Sequence, residues 1–96
     1  MELVFRKRLS LSERRRHYVV IPFDCRHKFP GTRQRIKVKA KKTLATVEID
    51  DQWRMHLGAH LLWKLGAPPP WWAGEVVLTV KKGRTVYHLS LECLMA

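Results

Sequence analysis

Asparagine is absent from this 96-residue chain, and glutamine occurs only at Gln34 and Gln52. That depletion of thermolabile amides is found in proteins that work hot. Cysteine occurs only at Cys25 and Cys93, and neither belongs to a CxxC pair. With no signal-peptide core in the opening "MELVFRKRLS", the two thiols read as reduced residues of a cytoplasmic protein, and a single disulfide between them stays open. No apolar run approaches the length needed to cross a bilayer, so no membrane partner is expected. A Gly-rich phosphate loop is missing, as are a nucleophile paired with a base and a pair of carboxylates beyond Asp50-Asp51. Those absences exclude the common routes to catalysis, and neither an enzyme nor a cofactor is expected. Between Asp24 and Glu48 there is no acidic residue at all.

What is present is apolar residues and positive charge. An apolar fraction of 46% argues for a folded chain, and 96 residues suit one domain with one modest core. Net charge is +11. Residues 1–47 carry fourteen Lys/Arg against Glu2, Glu13 and Asp24, while residues 48–96 carry five of each sign. The excess therefore sits in the first half and predicts a polyanionic partner.

The sharpest local pattern is "TRQRIKVKAKK", residues 32 to 42. Arg33, Arg35, Lys37, Lys39 and Lys41 alternate with Ile36, Val38 and Ala40. A strand sends alternate side chains to opposite faces, so this one buries an aliphatic row and displays a line of cations. In "ELVFRKRLSL" the odd positions Leu3, Phe5, Leu9 and Leu11 give another half-buried strand, interrupted at Lys7. "SERRRH" reads as a polar connection, and "HYVVIPFD" as a strand covered on both faces that ends, bulges or lies at an edge at Pro22. "TLATVEI" resumes alternation through Leu44, Val47 and Ile49.

The period then changes. Trp53, Leu57, Leu61 and Leu65 stand four apart, which predicts one amphipathic helix near residues 51–65, capped by Asp50 or Asp51 and stopped at Gly66 before Pro68, Pro69 and Pro70. "EVVLTV" and "TVYHLSLECL" flank "KKGR" as a hairpin, with Gly83 supplying positive φ. The order predicts a mainly β, β-rich α+β fold: a small barrel or sandwich of about five to six strands with one helix over an open end. Residues 1–96 form a single basic β-barrel-like domain.

"HYVVIPFDCRHKFPGTRQRIKVKA" resembles the small β-barrel domain of YdeI/OmpD-associated, or bacteriocin-protection, proteins, through Pro22-Phe23-Asp24, the turn at Phe29 and the basic strand after it. The resemblance implies a small barrel and no activity. More faintly, "VEIDDQWRMHLGAHLLWKLGA" followed by "GEVVLTVKKGRTVYHL" is similar to swapped-hairpin AbrB-like regulators. That likeness implies a dimer binding DNA through a basic β-surface.

The residues assigned to nucleic-acid contact are Arg6, Arg8, Arg14, Arg15, Arg16, Arg33, Arg35, Lys37, Lys39, Lys41 and Trp72. Same-face strand residues lie about 6.6–7 Å apart, close to phosphate spacing, and each cation displaces counterions. If the first strand neighbours the basic strand, the clusters merge into one patch. In "PPPWWAG" the prolines stiffen the chain, one tryptophan points in, and the other is free to stack on bases. His56 and His60 fall four apart on the expected helix, but the segment lacks the Glu of HExxH and no metal is assigned.

The expected function is therefore non-enzymatic nucleic-acid binding through a cationic β-face. RNA is favoured over DNA because no recognition helix is evident, and a ribosome-associated ribonucleoprotein is the nearest type. Alternatives are a dimeric DNA-binding regulator or chromatin protein, and a small barrel binding a ligand or protein through Trp71-Trp72.

Overall fold

Seven strands form one sheet in the computed structural model, which describes residues 1–95. They are β1 (Glu2–Arg8), β2 (Tyr18–Val20), β3 (Gln34–Ala40), β4 (Thr43–Ile49), β5 (Arg54–His56), β6 (Glu75–Lys82) and β7 (Tyr87–Leu94), in the order β1-β6-β7-β3-β4-β5-β2. Only β3 and β7 run parallel; every other neighbouring pair is antiparallel. The fold is mainly β and the sheet curls into a half-barrel, so there is one sheet and not a sandwich, with seven strands in place of five to six. Two short helices, α1 (Leu11–Arg16) and α2 (Gly58–Lys64), and a 3₁₀ helix (Phe23–Lys28) complete it.

Alternation decides which residues line the core. In β3, Ile36, Val38 and Ala40 are buried while Arg35 and Lys37 are exposed. They meet Val47 and Ile49 of β4, Met55 of β5, Val19 and Ile21 around β2, and Leu78 and Val80 of β6. Leu44, expected inside, is 68% exposed: it pairs with Lys39, so it shares the outer face.

The helix expected over 51–65 begins only at Gly58. Arg54–His56 form β5, between β4 and β2. A spacing of four belongs to both a helical and a strand repeat, so Trp53 and Leu57 suit either. Met55, fully buried between them, settles the strand. Asp50 caps no helix. Its carboxylate accepts from the backbone N–H groups of Gln52 (2.8 Å) and Arg54 (2.9 Å) and closes the β4–β5 turn. Because His56 lies on β5 and His60 on α2, the expected histidine pair does not share a helix. The helix does stop at Gly66, whose φ is +88°.

"SERRRH" is a helix, not a connection. Ser10 accepts from the Glu13 N–H, and Glu13 accepts from the Ser10 N–H, a complete capping box. Nor is β2 covered on both faces: only Val19 is fully buried, and the three-residue strand lies at the sheet edge and ends at Val20, two residues before Pro22. Gly83 has no positive φ. A Cβ there would lie 2.8 Å from His88 Nε2, so glycine serves close approach.

The edges β1 and β2 are joined by side chains. Val20 lies opposite Arg54 of β5 and directs its N–H and C=O away from that strand. Glu13 Oε2 accepts from the Val20 N–H (2.7 Å), and Lys7 Nζ donates to the Val20 carbonyl (2.9 Å) and to Glu13 Oε2 (2.9 Å). Lys7, the interruption in the first strand's apolar face, is thus the clasp that closes the seam.

Candidate nucleic-acid interface

Six of the eight acidic residues are held in ion pairs: Glu2 with Lys28, Glu13 with Lys7, Asp50 with Arg54, Asp51 with Arg33, Glu75 with Arg8, and Glu92 with Arg6. Only Asp24 and Glu48 have no cation within 4.0 Å among the described residues. This pairing sorts the cations into those already neutralised and those free to meet a polyanion.

Arg6 and Arg8 face outward from β1, but each is 2.8 Å from a carboxylate. Moreover β6 and β7 separate β1 from β3, so the first strand does not adjoin the basic one. Arg33 precedes β3 with φ +59° and lies 3.8 Å from Asp51, and Lys41 occupies the β3–β4 turn with φ +57°. The continuous line of five is therefore three strand residues, Arg35, Lys37 and Lys39, with Lys41 and Lys42 at the turn.

Arg14 is a strut. Its guanidinium donates to the carbonyls of Pro69 (3.0 Å), Trp72 (3.0 Å) and Gly74 (3.4 Å), pinning the proline segment. Arg15 and Arg16 are exposed on α1, which sits at the seam between the sheet's two edges. β3 is the central strand, so those arginines lie on the opposite side of the curl from it. The two basic clusters are not brought together. Of the adjacent pair, Trp72 points inward, packed against the core and over Gly74, whereas Trp71 is 81% exposed.

The structure instead joins β3 to cations of the C-terminal hairpin. Lys39 pairs with His88 on β7, and His88 with Lys81 on β6. At about 4.8 Å per strand, the three form an outer-face row crossing three strands. Arg84 lies beyond it in the hairpin turn, Lys82 pairs with Tyr87 and stands beside it at the end of the curl, and none of these residues is ion-paired among the described residues. Alternation along "TVYHLSLECL" puts His88 on the polar face, and the cations of "KKGR" are the sequence signal for the rest. Two hollows flank Lys37 and Thr85. One, of about 380 Å³, lies along Leu44 and Thr46; the other, of about 400 Å³, opens at the end of the curl beside Lys82.

Elsewhere the titratable groups do structural work. Burial raises the Asp50 carboxyl, but the Arg54 N–H, His56, the Arg54 guanidinium and the Gln52 N–H together hold it well below the ordinary range. The Cys25 thiol is pushed up by burial and then by Asp24, opposite to an activated nucleophile, and both cysteines are free. No cluster of three or more His, Cys, Asp or Glu able to hold a metal ion occurs among the described residues. No helix there is long and apolar enough to cross a membrane. Comparison of the chain with protein-family models, with curated proteins and with solved structures finds no match.

Proposed function

We propose that the protein is a non-enzymatic nucleic-acid-binding protein that contacts phosphates through the outer face of β3 and the β6–β7 hairpin. One observation carries this reading: six of the eight acids are spent on other cations, while Arg35, Lys37, Lys39, Lys81, Lys82 and Arg84 stand without ion-pair partners on and beside one surface, where Glu48, opposite Arg35 in the β3–β4 register, is the lone unpaired acid. A row of like charges stabilises no fold, and neutralising it against phosphates releases condensed counterions. RNA is favoured over DNA. The helices have six and seven residues, too short to read a major groove, whereas a broad curved cationic face suits the backbone of structured RNA.

The test is a salt titration of RNA binding by fluorescence anisotropy, comparing the parent with a triple variant, Arg35→Gln, Lys39→Gln and Lys81→Gln. Three lost phosphate contacts reduce the slope of log K against log salt by about 2 to 3. An unchanged slope, in a variant that keeps its circular dichroism, sinks the reading. A second reading, a protein or ligand site around Trp71 and Trp63, draws on their 81% and 68% exposure. It predicts that Trp71→Ala abolishes partner capture while the triple variant retains it.

A further inference from the structure

We propose that the cavity at the hairpin end of the curl binds a terminal phosphate monoester, borne by a nucleic-acid strand end or by a free nucleotide. For a strand end this rests on the interface reading above; for a free nucleotide it stands alone. The cavity holds about 400 Å³, within the range of small-ligand sites, which starts at roughly 300 Å³. Its floor is largely apolar. Phe29 stacks on Tyr87 with ring centres 4.9 Å apart and planes at 13°, Ile36 lies alongside, and the Tyr87 hydroxyl donates to the Lys28 carbonyl at 2.7 Å. The other lining residues are almost all cationic or hydrogen-bonding: Lys37 from β3, Lys82 from β6, Lys28 and His27 from the 3₁₀ helix, and Thr85 from the hairpin turn. No acidic residue lines it.

Three lysines from three separate elements around an apolar floor fit a compact dianion attached to a flat organic group. A phosphate monoester carries about −1.5 to −2 at neutral pH, against one charge for an internal diester, so such a cage favours strand ends over strand interiors. Position supports the same ligand. The cavity shares Lys37 and Thr85 with the hollow along the outer face of β3, so a strand tracking the basic row runs towards it. Glu2 restrains the site from outside: it pairs with Lys28 and stands opposite Lys82 in the β1–β6 register.

The experiment measures binding of one short single-stranded RNA with a 5′-phosphate, a 3′-phosphate or hydroxyl ends, and of AMP by calorimetry. The variants are Lys82→Gln with Thr85→Val, and Glu2→Gln. Lys82, Thr85 and Glu2 are exposed, so the variants are expected to fold, and circular dichroism checks it. A phosphorylated end is expected to bind about tenfold more tightly than a hydroxyl end, as one charge-assisted contact implies. The double variant erases that difference and weakens binding of the hydroxyl-ended RNA by no more than the one interface contact that Lys82 supplies, while Glu2→Gln widens the difference by freeing Lys28. AMP binding that the double variant abolishes, without end preference, supports the pocket with a free nucleotide as its ligand. Equal binding of all three RNAs with no AMP binding overturns the pocket and leaves the interface reading standing. If neither RNA nor AMP binds, both are overturned.

Discussion

Replacing Glu13 by Gln tests whether the sheet is closed by its side-chain clasp. The Glu13 side chain is 4% exposed, and its two oxygens accept from the Ser10 N–H (2.9 Å), the Val20 N–H (2.7 Å) and Lys7 Nζ (2.9 Å). An amide keeps one acceptor oxygen and turns an NH₂ towards donors it cannot satisfy. Lys7, with 28% of its side chain exposed, loses its counter-charge and keeps only the Val20 carbonyl. Breaking a buried pair from one side costs about 3–5 kcal/mol, and the partial exposure of Lys7 places this case near the lower figure. Against a domain stability of about 5–15 kcal/mol, that is a large fraction. Urea unfolding should therefore show a midpoint lowered by roughly 1 M or more at unchanged m-value. Adding Lys7→Met should recover part of the loss by removing the orphaned charge. A cost below about 1 kcal/mol for Glu13→Gln would mean that the edges are held by packing alone.

The same carboxylate sets a pH dependence. Burial raises the Glu13 carboxyl, but the Ser10 N–H, Lys7 and the Val20 N–H outweigh it, leaving the folded value below the ordinary 4.5. A group lowered on folding contributes its stability above the unfolded pKa and loses it as pH falls through the folded one. Asp50 is lowered in the same way, so acid weakens both the seam and the β4–β5 turn. Stability measured from pH 7 downward should fall below about pH 5, and less steeply in Glu13→Gln.

Gly74→Ala would place a Cβ 2.0 Å from the Trp72 ring and must displace it, at a cost of about 1–3 kcal/mol. The check is a red shift in tryptophan emission alongside the drop in melting temperature; an unshifted spectrum contradicts the inward placement of Trp72. Alkylation with iodoacetamide at mildly alkaline pH should label exposed Cys93 well before buried Cys25, read by peptide mass spectrometry. Faster labelling of Cys25 would contradict its burial.

The strands were legible where alternation ran long. In "QRIKVKA" and "YHLSL" the polar and apolar positions fall on the faces that parity assigns, because a half-buried strand admits one register. The helix boundary was not legible, because the four-residue spacing from Trp53 to Leu57 fits a strand equally well. Asp50 looked like an N-cap since the same carboxylate-to-N–H bonds close a turn. For α1 the signal is present in the capping-box spacing of Ser10 and Glu13, but the three consecutive arginines that follow fit a solvated connection as well as a helix. Lys7 read as a defect in an apolar stripe. Its role depends on Val20, thirteen residues away, and on the meeting of two sheet edges, which no local pattern encodes.

Charge followed the same logic at longer range. Counting by halves puts all the excess in residues 1–47. Topology undoes that division, because β6 and β7 insert between β1 and β3. Glu75 and Glu92 of the second half are thereby spent on Arg8 and Arg6 of the first, across 67 and 86 residues of sequence. With those acids occupied, Lys81, Lys82 and Arg84 of the nominally neutral half are uncompensated, and the Lys39–His88–Lys81 register carries them to the basic strand. The surface that a polyanion would meet is thus assembled from both halves. Its position follows from where the carboxylates are consumed, not from where the lysines and arginines are densest. Arg6, Arg8 and Arg14 belong to the densest runs, yet each already holds a carboxylate or backbone carbonyls. Reversing one pair tests this directly: Glu92→Gln should free Arg6 and steepen the salt dependence of RNA binding by at most one contact, about 0.7–0.9 in slope.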